Sequence, residues 1–192
     1  YIFVLLIVLI VSGCFGHSQK ILNLQDPAKI KVNHIAVLPM NHQDADGKAA
    51  QLLRTRISEE IYFKGYSRIP LETMDKKLAT SPVDSNKEKK SFIAPEMLKN
   101  LTGADAGMYC TLTESHPLRF FYSPVKISVM CELRNTDNGD IIWKATSEST
   151  GRNFDLTRKG LERKKQETHE DLIDDVVQDI MKTLPDGPNL RN

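Results

Sequence analysis

The chain has 192 residues, and its 26 lysines and arginines against 25 aspartates and glutamates give a formal net charge of +1. This length predicts one globular domain, and 40% hydrophobic with 27% charged residues excludes a wholly disordered chain and a polytopic membrane protein. The balanced charge argues against a nucleic-acid binder, which needs a clear excess of lysine and arginine on one face.

The N-terminus has the pattern of a bacterial lipoprotein signal. Residues 1–11 form an uncharged apolar run that is too short for a membrane span of about 20 residues but suits the apolar region of a secretory signal. The run ends in Val11-Ser-Gly-Cys14, which resembles a lipobox, the motif whose cysteine is lipidated after cleavage in front of it. The sequence therefore predicts a signal peptide over residues 1–13 and fatty acyl chains, such as palmitate, on Cys14.

Lipidation implies a membrane-anchored protein of the bacterial cell envelope. Two or three acyl chains hold a protein durably, whereas one chain holds it only marginally. Phe15 after Cys14, rather than Asp, favours the outer membrane, with the protein facing the periplasm. Because the chain starts at Tyr1, without Met or the basic segment that precedes such a run, we expect that the sequence is truncated at its start or that its start is misassigned.

Beyond the signal, residues 14–32 are predicted to be a tether, residues 33–185 a single α/β domain, and residues 186–192 a tail. Residues 34–40 predict a buried strand that is ended by Pro39. Apolar residues at helical spacing and flanking glycine or proline signals predict the next elements. These are a helix from Gly47 to Lys64, a strand over 66–69, a helix over 72–79, an exposed loop over 80–91 and a helix over 95–101 ended by Gly103.

The following stretch predicts a sheet to the level of strand register. Met108, Cys110 and Leu112 alternate with polar or aromatic residues, as do the apolar residues between 126 and 134. When the two strands are aligned so that each apolar residue lies opposite another apolar residue, Cys110 lies opposite Cys131. A shift of one residue would set the apolar residues against the polar face. In an oxidising compartment this pair forms either a disulfide or two buried thiols packed as small apolar groups.

A third strand is predicted after a hairpin turn at Gly139, with Leu133 opposite Trp143. A polar stretch over 149–170 then leads to an apolar stripe at helical spacing from Leu172 to Leu184. The expected fold class is α/β: a mixed sheet with a C-terminal antiparallel three-stranded meander, and helices packed on it.

Several of these segments together resemble a known group of proteins. They are Ile35-Ala-Val-Leu-Pro39 before a helix, Gly65-Tyr66 before a strand, Gly103-Ala-Asp-Ala106 before a strand, and the run from Asp137 to Trp143. The pattern resembles bacterial lipoproteins of unknown function. These are similar in fold to the curli-secretion channel lipoprotein, the penicillin-binding-protein activator lipoprotein and the N-terminal domain of the Tol-Pal translocation protein. The resemblance implies an envelope module and supplies no catalytic residues.

Motifs for catalysis, metals and cofactors do not emerge from the sequence. The segment from His42 to Gly47 lacks the Asp that begins a calcium loop, and Leu53 stands where that loop needs its bidentate Glu. Ile173 stands where a zinc-protease helix needs its second histidine. Neither a nucleophile elbow nor a glycine-rich phosphate loop occurs. We therefore predict no catalytic residue, no metal and no cofactor. The absence of motifs favours a non-enzymatic protein, and an enzyme stays the alternative.

A cluster of aromatic residues, Phe120, Phe121 and Tyr122, lies at the predicted hairpin tip between Pro117 and Pro124. The cluster either contacts a partner or folds back on the domain. The resulting hypothesis is a lipid-anchored, non-enzymatic assembly or accessory component of an envelope secretion, transport or wall-maintenance complex. Its partners would be the membrane, other envelope proteins or further copies of the chain. The alternative is a periplasmic module or enzyme for a small ligand.

Overall fold

The computed structural model describes residues 18–22, 32–43, 47–80, 93–115, 122–154 and 158–190. The strands are β1 (Ser18–Leu22), β2 (His34–Val37), β3 (Asn41–Gln43), β4 (Ser67–Arg68), β5 (Ala106–Ser115), β6 (Tyr122–Asn135) and β7 (Ile141–Phe154). The helices are α1 (Gly47–Phe63), α2 (Leu71–Thr80), α3 (Pro95–Thr102) and α4 (Arg158–Thr183).

The described strands form one mixed sheet. Its order is β1-β7-β6-β5-β2-β4, and β3 also pairs with β5. The pairings of β2 with β4 and of β2 and β3 with β5 are parallel, whereas those of β5 with β6, β6 with β7 and β1 with β7 are antiparallel. The α/β class, with a mixed sheet and helices packed on it, is confirmed.

The strand register follows the apolar alternation of the sequence. Met108 lies opposite Leu133, Leu112 opposite Val129, and Leu133 in turn opposite Trp143. Each of these side chains is buried on the same face of the sheet. The register predicted for these pairs is confirmed. With this alignment the alternating apolar residues share one face of the sheet.

The main core lies between that face of the sheet and the helices α1 and α4. Trp143 is fully buried there, and its indole nitrogen donates to the carbonyl oxygen of Thr183 at 3.3 Å, near the end of α4. A second, smaller core lies on the other face, where α2 and α3 cover β2 and the start of β5. It is formed by Ala36, Leu38, Met74, Leu78, Ile93, Leu98, Ala104 and Tyr109.

Three segments differ from the sequence-based expectation, and the first is the predicted tether. Five of its residues, Ser18–Leu22, pair with β7 as an edge strand, with Ser18 opposite Glu148. Without them the edge of β7 would present unpaired backbone N–H and C=O groups. Because backbone groups make these bonds, a segment with little strand propensity can occupy this position.

The second segment is the predicted tail. The backbone N–H of Gly187 donates to the carbonyl oxygen of Lys64 at 2.6 Å, and that of Asn189 donates to Gly65 at 3.1 Å. The ammonium of Lys64 also pairs with Asp186 at 3.2 Å. The C-terminal residues thus satisfy the carbonyl oxygens of the two residues that directly follow α1.

The third segment is the polar stretch over 149–170. β7 continues to Phe154, and α4 begins at Arg158, well before the apolar stripe that starts at Leu172. The added turns are rich in Lys, Arg, Glu and Gln, which have good helix propensity and need no apolar partner. Hydrophobic periodicity therefore detects only the second half of this helix.

Cys110 and Cys131 face each other across β5 and β6, as the register requires. Their Cα atoms are 4.2 Å apart, and the structure joins their sulfur atoms in a disulfide of 2.01 Å. Both side chains lie in the main core. The link therefore ties together two central strands whose connection is outside the described residues.

We predict that the mature protein, unfolded without reductant, has no reactive thiol at Cys110 or Cys131. Reduction should lower the free energy of unfolding by about 3 kcal/mol, because a closed loop of about 20 residues restricts the unfolded chain. The measurement is thiol titration together with urea unfolding. The double variant Cys110→Ala, Cys131→Ala is the control and should not respond to reductant. Two reactive thiols in the parent protein would contradict the prediction.

Candidate interaction surfaces

The structure places only some of the residues proposed from sequence. Cys110 and Cys131 are brought together, whereas Cys14, Phe120 and Phe121 lie outside the described residues. Tyr122 begins β6, and its backbone lies opposite Phe154. The partner contact proposed at residues 120–122 therefore stays a prediction.

The sheet has two distinct ends. We call the "hairpin end" the one where β5 ends at Ser115, β6 begins at Tyr122 and β7 ends at Phe154. The "turn end" is the other one, where β6 and β7 are joined by a turn after Asn135. α1 finishes at the turn end, because the strand that follows it, β4, pairs with His34 at the start of β2.

An exposed apolar patch lies at the turn end. It consists of Tyr62, Phe63 and Leu190, which are 61%, 69% and 54% exposed, and we call it the helix-end patch. The two aromatic rings stand edge to face with their centroids 6.1 Å apart. Clustered exposed aromatic side chains are typical of contact surfaces, since they offer a large apolar area in few rotamers.

Helical geometry explains why these aromatic rings are exposed. Leu53, Ile57 and Ile61 follow at spacings of four and form the buried stripe of α1. Each residue turns the helix by about 100°, so Tyr62 and Phe63 fall progressively off that stripe. The C-terminal residues pack beside Gly65 and leave both rings uncovered.

A groove adjoins the helix-end patch. Its volume is about 560 Å³, and the guanidinium of Arg68 lies 5.5 Å from the centre of the Tyr62 ring, at cation–π distance. Arg and Tyr are both enriched among residues that dominate binding energy at protein interfaces. The lining residues are Thr55, Ser58, Tyr62, Ser67, Arg68, Pro70, Leu71 and Glu72.

A charged cluster lies on the second face of the sheet, where no described helix covers β6 and β7. Glu132 is its centre: Lys144 donates to Oε1 at 2.8 Å, and Arg134 donates to Oε2 at 2.6 Å. Burial by itself would raise the pKa of Glu132, but the hydrogen bonds from Lys144 and Arg134 outweigh it and hold that pKa below its usual value. Glu132 is therefore ionised at neutral pH, and both of its carboxylate oxygens accept hydrogen bonds from cationic side chains.

Tyr109 completes this cluster from β5, directly opposite Glu132. Its hydroxyl donates to the carbonyl oxygen of Ile93 at 2.7 Å, and the guanidinium of Arg134 lies 5.7 Å from its ring centre. Burial raises the pKa of Tyr109 to about 12, although Arg134 acts in the opposite direction. The Tyr109 phenol therefore stays protonated at neutral pH and is poorly suited to transfer protons there. Beside the hydrogen-bonded carboxylate of Glu132, it stabilises the sheet.

In the described ranges, no three His, Cys, Asp or Glu side chains are grouped so that they could hold a metal ion. Of the helices in those ranges, none combines the length and apolar character needed to cross a membrane.

Sequence reasoning missed the helix-end patch and the Glu132 cluster. The signal for the patch was the position of two aromatic residues just after Ile61, off the apolar stripe of a predicted helix. The signal for the cluster was the predicted register, which sets Glu132 between Tyr109 and Lys144. In both cases the residues lie on the side of a predicted element that faces away from the main core.

Comparison with known proteins gives a consistent family and fold. A family model described as "Putative lipoprotein GNA1162-like" matches residues 26–189. The crystal structure of lipoprotein GNA1162 from Neisseria meningitidis is similar over 71% of this chain and 94% of that chain, with 18% identity and a TM-score of 0.58. No curated protein sequence matches the chain.

One further structure shares the fold to a lower degree, and another is a weaker match. A PelC dodecamer from Paraburkholderia phytofirmans covers 86% of this chain and 98% of that chain, with 15% identity and a TM-score of 0.50. The LpoB C-terminal domain from Escherichia coli is a weaker match, which covers 64% of this chain and 87% of that chain, with 16% identity and a TM-score of 0.41.

We predict that Glu132→Gln lowers the free energy of unfolding by about 1 to 3 kcal/mol at neutral pH, because two cationic donors lose their ionised acceptor. Since the folded pKa of Glu132 lies below its usual value of 4.5, the ionised group stabilises the fold above that value. This contribution is lost as the pH falls through the lowered pKa. Urea unfolding at several pH values should therefore show the parent and variant converging in acid.

The control for this prediction is Glu148→Gln. Glu148 pairs with Lys126 at 2.9 Å on the same face, but both side chains are exposed. An exposed pair of this kind contributes at most about 1 kcal/mol. Equal losses in the two variants, or a Glu132→Gln effect that does not change with pH, would contradict the assigned role of the cluster.

Proposed function

Because the chain belongs to the GNA1162-like lipoprotein family, we propose that it is a lipid-anchored protein of the bacterial cell envelope. We propose further that it acts as a non-enzymatic assembly or accessory component of an envelope secretion, transport or wall-maintenance complex. The observation that carries the second part is the exposed helix-end patch of Tyr62, Phe63 and Leu190. Such a patch on a protein held at a membrane is suited to binding another protein.

The proposed anchor is a lipid on Cys14. The apolar run over residues 1–11 and the sequence Val11-Ser-Gly-Cys14 support it, and so does membership of a lipoprotein family. Cleavage before Cys14 would remove residues 1–13 as a signal peptide. Phe15 supports placement in the outer membrane with the domain in the periplasm.

The proposed partner surface is the helix-end patch with the groove beside it. Interfaces draw most of their binding energy from a few aromatic and arginine side chains that become fully desolvated. Tyr62, Phe63 and Arg68 provide such side chains within one small area. A partner that covers both rings would remove about 200 to 320 Å² of surface from water, because a fully buried aromatic residue loses about 150 to 250 Å² and these rings are about two-thirds exposed.

Further copies of this chain are the partner that the fold comparison supports. The PelC structure, which shares the fold over most of both chains, is a dodecamer. Identical subunits that close into a ring make head-to-tail contacts, so the helix-end patch with its groove would form one of the two contact surfaces of each copy. Other envelope proteins are the alternative partners for the same surface.

A small-ligand module or enzyme is the second candidate function. The groove of about 560 Å³ beside Arg68 favours it, because that volume lies within the range of ligand pockets. Mass measurement of the native protein in mild detergent separates the two functions. A ring or a complex with other proteins supports the first, and a monomer that binds a ligand in this groove supports the second.

We predict that Cys14→Ser leaves the precursor uncleaved and without fatty acid, because the serine hydroxyl cannot form the thioether to which diacylglycerol is attached. Labelling of cells with radioactive palmitate, followed by purification and mass measurement, tests this. Cys131→Ala is the matched control and should retain the label. Normal labelling of Cys14→Ser would show that the anchor is elsewhere or absent.

We predict that the double variant Tyr62→Ser, Phe63→Ser dissociates the native assembly while its thermal midpoint stays almost unchanged, because both side chains are already exposed. Size measurement in mild detergent reports assembly, and thermal unfolding reports stability. Met130→Ser, which changes an exposed side chain on the uncovered sheet face, is the control and should leave assembly intact. An unchanged assembly in the double variant would refute the proposed surface.

The aromatic cluster at residues 120–122 can be compared in the same measurement. If Phe120, Phe121 and Tyr122 form a second contact, their replacement by Ser should leave stability unchanged and alter membrane or partner binding. If they belong to the core, the same change should cost about 3 to 5 kcal/mol for each buried aromatic residue.

A further inference from the structure

The pairing of β1 limits how far the domain can stand from the membrane. β1 runs antiparallel to β7, with Ser18 opposite Glu148 and Leu22 opposite Lys144, so Ser18 is the end of β1 nearer the hairpin end. Cys14 precedes Ser18 by four residues. Even a fully extended chain of four residues spans at most about 14 Å, so the lipid attachment point lies within that distance of Ser18.

The neighbouring strand extends farther than this tether can reach. From Glu148, opposite Ser18, β7 continues for six residues to Phe154, which is about 20 Å at 3.4 Å per residue. Measured along the strands, the hairpin end therefore extends at least as far from Ser18 as the lipid attachment point can. In the other direction, Ile141 at the turn end lies about 24 Å behind the level of Ser18, beyond the reach of the tether.

The charge distribution along the chain matches a negatively charged lipid surface at the hairpin end. Residues 150–165 include six basic residues and two acidic ones, a net charge of +4, whereas the whole chain carries +1 and the remainder therefore −3. The described parts of this segment, residues 150–154 at the end of β7 and residues 158–165 at the start of α4, lie at the hairpin end. Lysine and arginine close to a membrane are attracted by anionic phospholipids.

From this reach and this charge we infer that the hairpin end of the sheet rests on the anionic phospholipid head groups of the membrane that holds the Cys14 lipid. The helix-end patch then faces away from that membrane, at the far end of the sheet. The inference rests on the proposed anchoring at Cys14 and adds to it a protein surface that contacts the bilayer. The register of β1 against β7 would then determine how the domain is oriented on the membrane.

The test uses the lipidated protein in vesicles of phosphatidylethanolamine and phosphatidylglycerol that contain a nickel-chelating lipid as a head-group quencher. A fluorescent label is placed on one introduced cysteine, at Lys126→Cys near the hairpin end or at Asp137→Cys in the turn end. Both positions are exposed. The unsubstituted protein is the labelling blank, and Thr150→Cys, opposite Lys126 on β7, provides a second position near the hairpin end.

We expect quenching to be several-fold stronger at positions 126 and 150 than at position 137, and the difference to shrink when phosphatidylcholine replaces phosphatidylglycerol. Equal quenching at the two ends, or stronger quenching at position 137, would overturn the orientation. Intact mass of the same samples reports the lipid on Cys14. A missing lipid refutes the anchoring and the orientation together, whereas a lipid with reversed quenching refutes the orientation alone.

Discussion

The register of β5, β6 and β7 is the constraint on which the rest of this structure depends. Side chains alternate between two faces, and this alignment of the three strands places the alternating apolar residues, such as Met108, Leu133 and Trp143, on the side of α1 and α4. That alignment brings Cys110 beside Cys131 and Trp143 beneath the end of α4. It also leaves Glu132 on the other face, between its cationic partners.

Much of the fold could be predicted from sequence because its core elements have strong periodic patterns. The alternation around Met108 and Leu133 and the stripe from Leu53 to Ile61 each match one type of element. β1, the C-terminal contacts and the first half of α4 were not foreseen. Backbone bonding holds β1 and residues 187–189, and helix propensity accounts for the start of α4, so none of them leaves an apolar pattern.

The candidate surface was harder to predict than the fold. An aromatic residue near a helix end is buried or exposed according to what packs there, and that depends on residues distant in sequence. Near Tyr62 and Phe63, the chain around Gly187 covers the end of α1 but leaves both rings in solvent. The aromatic residues at 120–122 were visible in sequence, since flanking prolines mark them, whereas Tyr62 and Phe63 lie inside a regular helix.

The proposed account gives the two ends of the domain different partners: lipid at the hairpin end and protein at the turn end. Photo-crosslinking in intact cells from a photoreactive residue in place of Phe63 tests this division most directly. The account predicts a discrete protein adduct, either a second copy of the chain or one other envelope protein. Crosslinking of position 63 mainly to phospholipid would contradict it.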